Sequence, residues 1–193
     1  MLPDVVRTIA LVAEALERLA VPYAIGGSVA SSYYGVPRAS NDVDIVAELG
    51  LAHVARLVRL LEPSFYADEH AIRDAVRERS AFNLVDRTAF DKVDVFVPSG
   101  EPWQQQQLRR RRAAELTSER HEGTFYLSSP EDTVLAKLRW YDLGARVSER
   151  QWLDVIGVLK VQQGLLDEAY LRRWAGELNL IELLEQAMEA AGP

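Results

Sequence analysis

The stretch that decides the fold covers residues 23–45 and reads YAIGGSVASSYYGVPRASNDVDI. A short apolar segment at its start is followed by Gly26-Gly27-Ser28, an order that predicts a buried strand, a turn and the start of a short helix. At its end, acidic and apolar residues alternate, which is the period of a strand with one polar face. We therefore predict strands over residues 21–25 and 42–47.

Two carboxylates of the second predicted strand, Asp42 and Asp44, leave it on the same face because side chains alternate along a strand. Like charges so close together are held best by a shared cation. Oxygen ligands without cysteine or clustered histidine favour Mg²⁺ or Mn²⁺. We predict Asp94, in an apolar strand candidate at 93–97, as the third metal ligand, with Asp91 as the alternative.

The turn Gly26-Gly27-Ser28 predicts a second kind of contact, with phosphate. Glycine lets backbone N–H groups approach an anion closely, and a helix N-terminus adds partial positive charge. The Ser28 hydroxyl can also reach a phosphate oxygen. The alternative is an ordinary strand-to-helix turn with a capping serine.

The remaining pattern predicts an α+β fold, with a mixed β-sheet and flanking helices followed by a helical C-terminal part. We place the α/β lobe at residues 1–127 and the helical part at 128–193, either as two packed parts or as one domain. The other predicted elements are helices over 4–20, 51–62, 68–79 and 102–112, a strand over 81–85, a hairpin over 116–127 around Glu122-Gly123, and helices from residue 129 onward.

Composition narrows the classes of function. The 193 residues carry a net charge of -7, which argues against a general nucleic-acid coat. No cysteine is present, so we expect no disulfide framework and a cytoplasmic location, and no apolar run is long enough to predict a membrane partner. Residues 109–112 are four arginines with Trp103 nearby, which suits either RNA or a solvated helix end.

The glycine turn, the thirteen intervening residues and the acid strand together resemble the signature of the polymerase-β-type nucleotidyltransferase superfamily. The resemblance covers roughly residues 21–97 and extends to Arg38, which lies in a stretch similar to one found in small bacterial members. It implies the nucleotidyltransferase fold, with Gly26, Gly27 and Ser28 binding a nucleoside triphosphate. It also implies that Asp42, Asp44 and a later acid such as Asp94 hold Mg²⁺ or Mn²⁺.

The C-terminal half resembles the AbiEii-like toxin branch of that superfamily. The motif Ser129-Pro130-Glu131-Asp132 is followed by Lys137 and, one helix later, by Asp154. The resemblance implies that Lys137 meets the triphosphate, that Asp154 supports it, and that an antitoxin-like protein is a partner. From the residues alone, a structural salt bridge of Asp154 with Arg139 or Arg150 is equally well founded.

The sequence therefore predicts a metal-dependent nucleotidyltransferase. It would move a nucleoside monophosphate from an NTP to an acceptor hydroxyl on RNA, a protein or a small molecule. The residues do not decide among these acceptors. The alternatives are an inactive nucleotide-binding module and a toxin–antitoxin component that acts through protein contact.

Overall fold

The computed structural model describes residues 5–40, 42–118 and 121–192. Asp4, Asn41 and residues 119–120, which belong to the predicted first helix, the approach to the acid strand and the predicted hairpin, lie outside the described residues. In chain order, the elements of the described residues are α1 (Val5–Arg18), β1 (Tyr23–Ile25), α2 (Gly27–Tyr34), β2 (Asp42–Ala47), α3 (Leu51–Leu61), β3 (Phe65–Tyr66), α4 (Glu69–Glu78), β4 (Ala81–Asp86), β5 (Lys92–Phe96), α5 (Pro102–Arg109), β6 (Arg112–Thr117), β7 (Glu122–Leu127), α6 (Pro130–Leu143), α7 (Glu149–Val161), α8 (Glu168–Glu177) and α9 (Ile181–Ala191).

The seven strands form one mixed sheet in the order β3-β4-β5-β2-β1-β7-β6. Strand β2 pairs with β5 in parallel and with β1 in antiparallel orientation. Strand β1 in turn pairs with β7 in parallel. The predicted acid strand thus lies inside the sheet, between the strand that precedes the glycine turn and the strand that carries Asp94.

Chain contacts divide the protein into two units. The first contains the chain up to Gly26 and Ala39–Leu127, which includes the whole sheet with α1, α3, α4 and α5. The second contains Gly27–Arg38 and the chain from Ser128 onward, which is helical. The division into folding domains at residues 127 and 128 stays a prediction.

Helix α1 supplies much of the core of the first unit. Its apolar residues recur at steps of three and four, and Ile9, Val12 and Leu16 are all at most 1% exposed. They lie on one face of the helix, as the sequence predicts. No helix in the ranges that the structure describes is long and apolar enough to cross a membrane.

Three local predictions differ from the structure. The predicted helix over 102–112 ends at Arg109, and Arg112 begins strand β6. The hairpin does not turn at Glu122-Gly123, because both residues belong to β7 and pair with β6. The two-residue strand β3 was not predicted, since two residues show no periodicity; it forms by pairing with β4.

Helix starts in the second unit follow the sequence closely. The Ser129 side chain accepts a hydrogen bond from the backbone N–H of Asp132 at 3.1 Å, and Pro130 takes the first helical position of α6. The Ser148 hydroxyl accepts from the backbone N–H of Gln151 at the start of α7. These side chains satisfy N–H groups that have no partner within the helix.

Gly35, the residue after α2, lies against the backbone of α7. A Cβ added there would lie 2.8 Å from both the carbonyl carbon of Gly157 and the backbone nitrogen of Val158. Backbone atoms cannot move aside as a flexible side chain can. We expect Gly35→Ala to lower the free energy of unfolding by about 2–3 kcal/mol, measured by urea denaturation.

The matched control is Gly176→Ala, in the last turn of α8. A Cβ there meets nothing within 4 Å, so the change should raise the free energy of unfolding by about 0.5–1 kcal/mol through helix propensity. Equal effects of the two substitutions would contradict the close approach of α2 and α7.

Candidate functional site

The acidic side chains predicted as metal ligands lie on one face of the sheet. Asp44 of β2 is the register partner of Asp94 on the parallel strand β5, so the two carboxylates leave the same face side by side. Asp42, two residues before Asp44 on β2, projects from the same face. The intervening Val43 and Val93 point to the opposite face and are fully buried. The structure therefore places Asp94 on the same sheet face as Asp44, which lies fifty residues earlier in sequence.

The alternative third acid, Asp91, has a different role. It is 4% exposed and accepts a hydrogen bond from the Thr8 hydroxyl at 2.8 Å. This contact ties α1 to the start of β5. Asp91 is therefore a structural residue, and Asp94 remains the candidate ligand.

The glycine turn, which follows β1, is hydrogen-bonded to the acid strand β2. The backbone N–H of Gly26 donates to the carbonyl oxygen of Asp44 at 2.8 Å, which extends the antiparallel pairing of β1 and β2 past Ile25. Gly26 is thus held directly at the backbone of a predicted metal ligand.

Helix α2 begins at Gly27, one residue before the predicted start. Gly27 has a φ of 55°, which favours glycine because side chains with a Cβ rarely adopt it. Ser28 lies in the first turn and is 6% exposed. Its predicted contact with phosphate stays a prediction.

The sequence analysis did not identify one charged residue on the sheet face that carries Asp42, Asp44 and Asp94, which we call the acid face. Lys92 is the register partner of Asp42 and lies two residues before Asp94 on β5, so its side chain leaves the same face as the carboxylates. Its Nζ lies 2.9 Å from Oδ1 and 3.0 Å from Oδ2 of Asp94. The pattern Lys-Val-Asp in the sequence contains the signal, because period two places both charged ends on one face.

The electrostatics of this face centre on Lys92. The hydrogen bond to Asp94 raises the pKa of Lys92 above its ordinary value, and the negative charge of Asp94 adds to the effect. The charges of Asp42 and Asp44 act in the same direction. The ammonium therefore stays protonated and offsets part of the repulsion among the carboxylates.

The donor set suits a hard divalent cation, since three carboxylates on adjacent strands provide oxygen ligands only. Within residues 5–40, 42–118 and 121–192, however, no three His, Cys, Asp or Glu side chains are already gathered closely enough to hold a metal ion. Asp94 is paired with Lys92 instead. The ligand chemistry and the strand register suit Mg²⁺ or Mn²⁺, but a metal ion at this face stays a prediction, and Asp94 would first have to release the Lys92 ammonium.

A second cluster lies within the helical unit. The guanidinium of Arg38 binds Asp154 through two parallel hydrogen bonds, from Nε to Oδ1 and from Nη2 to Oδ2, both 2.8 Å long. Lys137 Nζ binds Oδ2 of the same carboxylate at 2.8 Å. The predicted proximity of Lys137 and Asp154 is confirmed. The structure gives Asp154 the salt-bridge partners Arg38 and Lys137. The alternative salt bridge with Arg139 or Arg150 stays a prediction.

The cluster is buried to different depths. The side chains of Lys137 and Asp154 are each 6% exposed, whereas that of Arg38 is 27% exposed. Burial raises the pKa of Asp154, but the hydrogen bonds from Arg38 and Lys137 outweigh it and hold the pKa below its ordinary value. Asp154 is thus held between two cations, of which Arg38 is the more exposed to solvent.

The arginines of residues 109–112 do not belong to a single helix. Arg109 ends α5, whereas Arg112 belongs to β6. Arg111 donates to the carbonyl oxygen of Leu108 at 2.6 Å. Trp103 is 4% exposed and cannot serve as a platform for stacking bases. Base stacking on Trp103, one of the two features that suited RNA, is therefore excluded.

Comparison with solved structures finds nucleotidyltransferase folds. A nucleotidyltransferase-like antigenic protein from Paracoccidioides brasiliensis is 18% identical, with a TM-score of 0.53 over 98% of this chain and 94% of that chain. The antibiotic-resistance factor ANT(2'')-Ia is 14% identical, with a TM-score of 0.59 over 96% of this chain and 99% of that chain. Comparisons with protein-family models and with curated protein sequences found no match.

These similarities establish the fold. The chain has the α+β nucleotidyltransferase fold, with a mixed sheet and flanking helices, as the sequence predicts. At identities below 20% they do not carry over the role of any individual residue. The features of this chain that bear on its chemistry are the acid face and the charged cluster of the helical unit.

Proposed function

We propose that this protein is a metal-dependent nucleotidyltransferase that moves a nucleoside monophosphate from an NTP to an acceptor hydroxyl. The observation that carries the proposal is the register of Asp44 beside Asp94, with Asp42 on the same sheet face. The nucleotidyltransferase fold of the structural neighbours supports it.

In this proposal Asp42, Asp44 and Asp94 hold Mg²⁺ or Mn²⁺. The bound metal would supply positive charge to phosphate oxygens. Asp42 is exposed and Asp44 and Asp94 are half-buried, so solvent reaches all three residues.

The phosphates would be held by backbone and side-chain donors. Gly26 and Gly27 would offer N–H groups, and Ser28 its hydroxyl. Arg38 would contribute its guanidinium, since it is the member of the charged cluster with appreciable exposure. Lys137 would contribute positive charge from a buried position, held there by Asp154.

The transfer is a displacement at the α-phosphorus atom. The acceptor oxygen forms a bond to phosphorus while the bond to the bridging oxygen of the leaving pyrophosphate breaks. In this proposal Asp94 would take the hydroxyl proton once its carboxylate is released from Lys92. The products are a nucleotidylated acceptor and pyrophosphate.

The acceptor class remains the open part of the proposal. RNA, protein hydroxyls and small molecules are the candidates, and the name of the structural neighbour ANT(2'')-Ia, an antibiotic-resistance factor, adds hydroxyl-bearing antibiotics to the panel. The net charge of -7 favours an acceptor that is neutral or cationic over a polyanion.

The AbiEii-like branch is the second candidate, with toxin activity and an antitoxin-like protein partner. One observation favours it: a lysine and an aspartate of consecutive C-terminal helices meet, with 2.8 Å between Lys137 Nζ and Asp154 Oδ2. In this reading the chemistry is the same, and the acceptor is a cellular RNA or protein.

The test is transfer of label from NTPs carrying ³²P at the α-position, supplied one at a time with Mg²⁺, to cellular RNA, cellular protein and a panel of hydroxyl-bearing antibiotics. We expect label that survives denaturation from α-labelled and not from γ-labelled NTP. Label from the γ-position would instead indicate a kinase. Nucleotide binding without any transfer would favour an inactive binding module.

A further inference from the structure

The contact between Lys92 and Asp94 differs from an ordinary surface ion pair because it engages both carboxylate oxygens of a proposed metal ligand. Both oxygens of Asp94 lie within 3.0 Å of the Lys92 ammonium. Asp94 is the third proposed metal ligand, so these are the oxygens that a metal ion would need. The Lys92 side chain is 44% exposed on a four-carbon stem, which leaves it room to move away.

The position of Lys92 places its charge among all three carboxylates. Its Cα is in register with that of Asp42, while Asp94 is in register with Asp44. Three carboxylates on neighbouring strand positions repel one another unless a cation lies between them. The ammonium partly serves this purpose in the protein without nucleotide.

We propose that Lys92 is a built-in competitor of the metal ion, which keeps Asp94 neutralised until a divalent cation arrives together with a triphosphate. The inference rests on the proposed function, because it takes Asp94 as a metal ligand. A free metal ion must displace the ammonium and then repels it. A metal ion that arrives with nucleotide also brings phosphate charge, which gives the displaced ammonium a new partner.

Lys92 is therefore a positioning residue that couples metal binding to nucleotide binding. Such coupling is reciprocal: nucleotide tightens the metal, and the metal tightens the nucleotide. Removing the ammonium should raise the affinity for the metal alone and reduce the extra affinity that nucleotide provides.

The experiment measures Mn²⁺ binding to the 193-residue protein without nucleotide, from the electron paramagnetic resonance signal of free Mn²⁺. We expect Lys92→Met and Lys92→Gln to bind Mn²⁺ about three- to tenfold more tightly than the natural protein. Lys92→Arg keeps the charge and should bind Mn²⁺ as weakly as the natural protein. Lys160→Met, an exposed lysine of α7, is the matched control and should leave the affinity unchanged.

Unchanged Mn²⁺ affinity in Lys92→Met and Lys92→Gln would overturn this inference. If Asp44→Asn still abolished binding in that case, the proposed metal site would stand without the role of Lys92. Absence of Mn²⁺ binding in every variant, with or without NTP, would overturn both the metal site and the competitor role.

Discussion

Asp154→Ala is expected to lower the free energy of unfolding by about 3–5 kcal/mol, a large part of the stability of an ordinary domain. The substitution leaves Lys137 buried without its carboxylate, and it removes both hydrogen bonds that Asp154 accepts from Arg38. An uncompensated buried charge costs far more than an exposed one. Because Arg38 follows α2 and Asp154 lies on α7, the loss also loosens two elements of the helical unit.

Urea denaturation followed by circular dichroism measures this change. Asp142→Ala is the matched control, because Asp142 pairs with Arg146 on the surface, where both side chains are more than one-third exposed. An exposed pair contributes at most about 1 kcal/mol. A loss for Asp154→Ala no larger than for Asp142→Ala would contradict the buried cluster.

The same variant should also change the pH dependence of stability. The pKa of Asp154 lies below its ordinary value of 3.8, so the unfolded chain takes up the proton first as the pH falls. Stability from this carboxyl is therefore complete above the unfolded pKa and is lost as the pH drops through the folded one. The difference in free energy of unfolding between the natural protein and Asp154→Ala should be largest near neutral pH and should become smaller below about pH 4.

The second large effect is expected from Asp42→Asn combined with Asp44→Asn. The rate of nucleotidyl transfer should fall by about 10³-fold or more, because neutral amides replace two of the three proposed anionic metal ligands. The free energy of unfolding should change by no more than about 1 kcal/mol, since Asp42 is exposed and the substitutions relieve repulsion between like charges.

The measurement is transfer of label from the α-position of the NTP that the natural protein uses. Asp74→Asn, an exposed aspartate of α4, is the control for removing a surface carboxylate. A double variant that folds and still transfers label at the natural rate would disprove the assignment of these carboxylates as metal ligands.

Several elements could be predicted because their signals are local. The period of two over Asp42–Ala47 predicts strand β2 with the bounds that the structure shows. The apolar steps of three and four predict α1 to within two residues at each end. The cap at Ser129 with Pro130 gave the start of α6. In each case, the hydrogen bonds and the buried face are set by residues close together in sequence.

Other elements depend on distant partners. The four arginines of residues 109–112 have no apolar period, and Arg112 is a strand residue only because β6 pairs with β7, with Leu127 opposite. Trp140 of α6 is 52% exposed although it is a large apolar residue, because burial on a helix depends on which face meets a neighbour. The pattern of a single helix does not contain that information.

The sequence by itself determined that Asp42 and Asp44 share a face, because the side-chain period of a strand is fixed by the backbone. It also determined a glycine turn before a helix, since the positive φ of Gly27 suits glycine. Only the tertiary structure decided that Asp94 lies beside Asp44 and that Lys92 binds it. It alone joined Arg38 to Asp154 across 116 residues. Strand order and helix packing decide such pairs, because they follow from burying the apolar surface of the whole chain rather than from any local pattern.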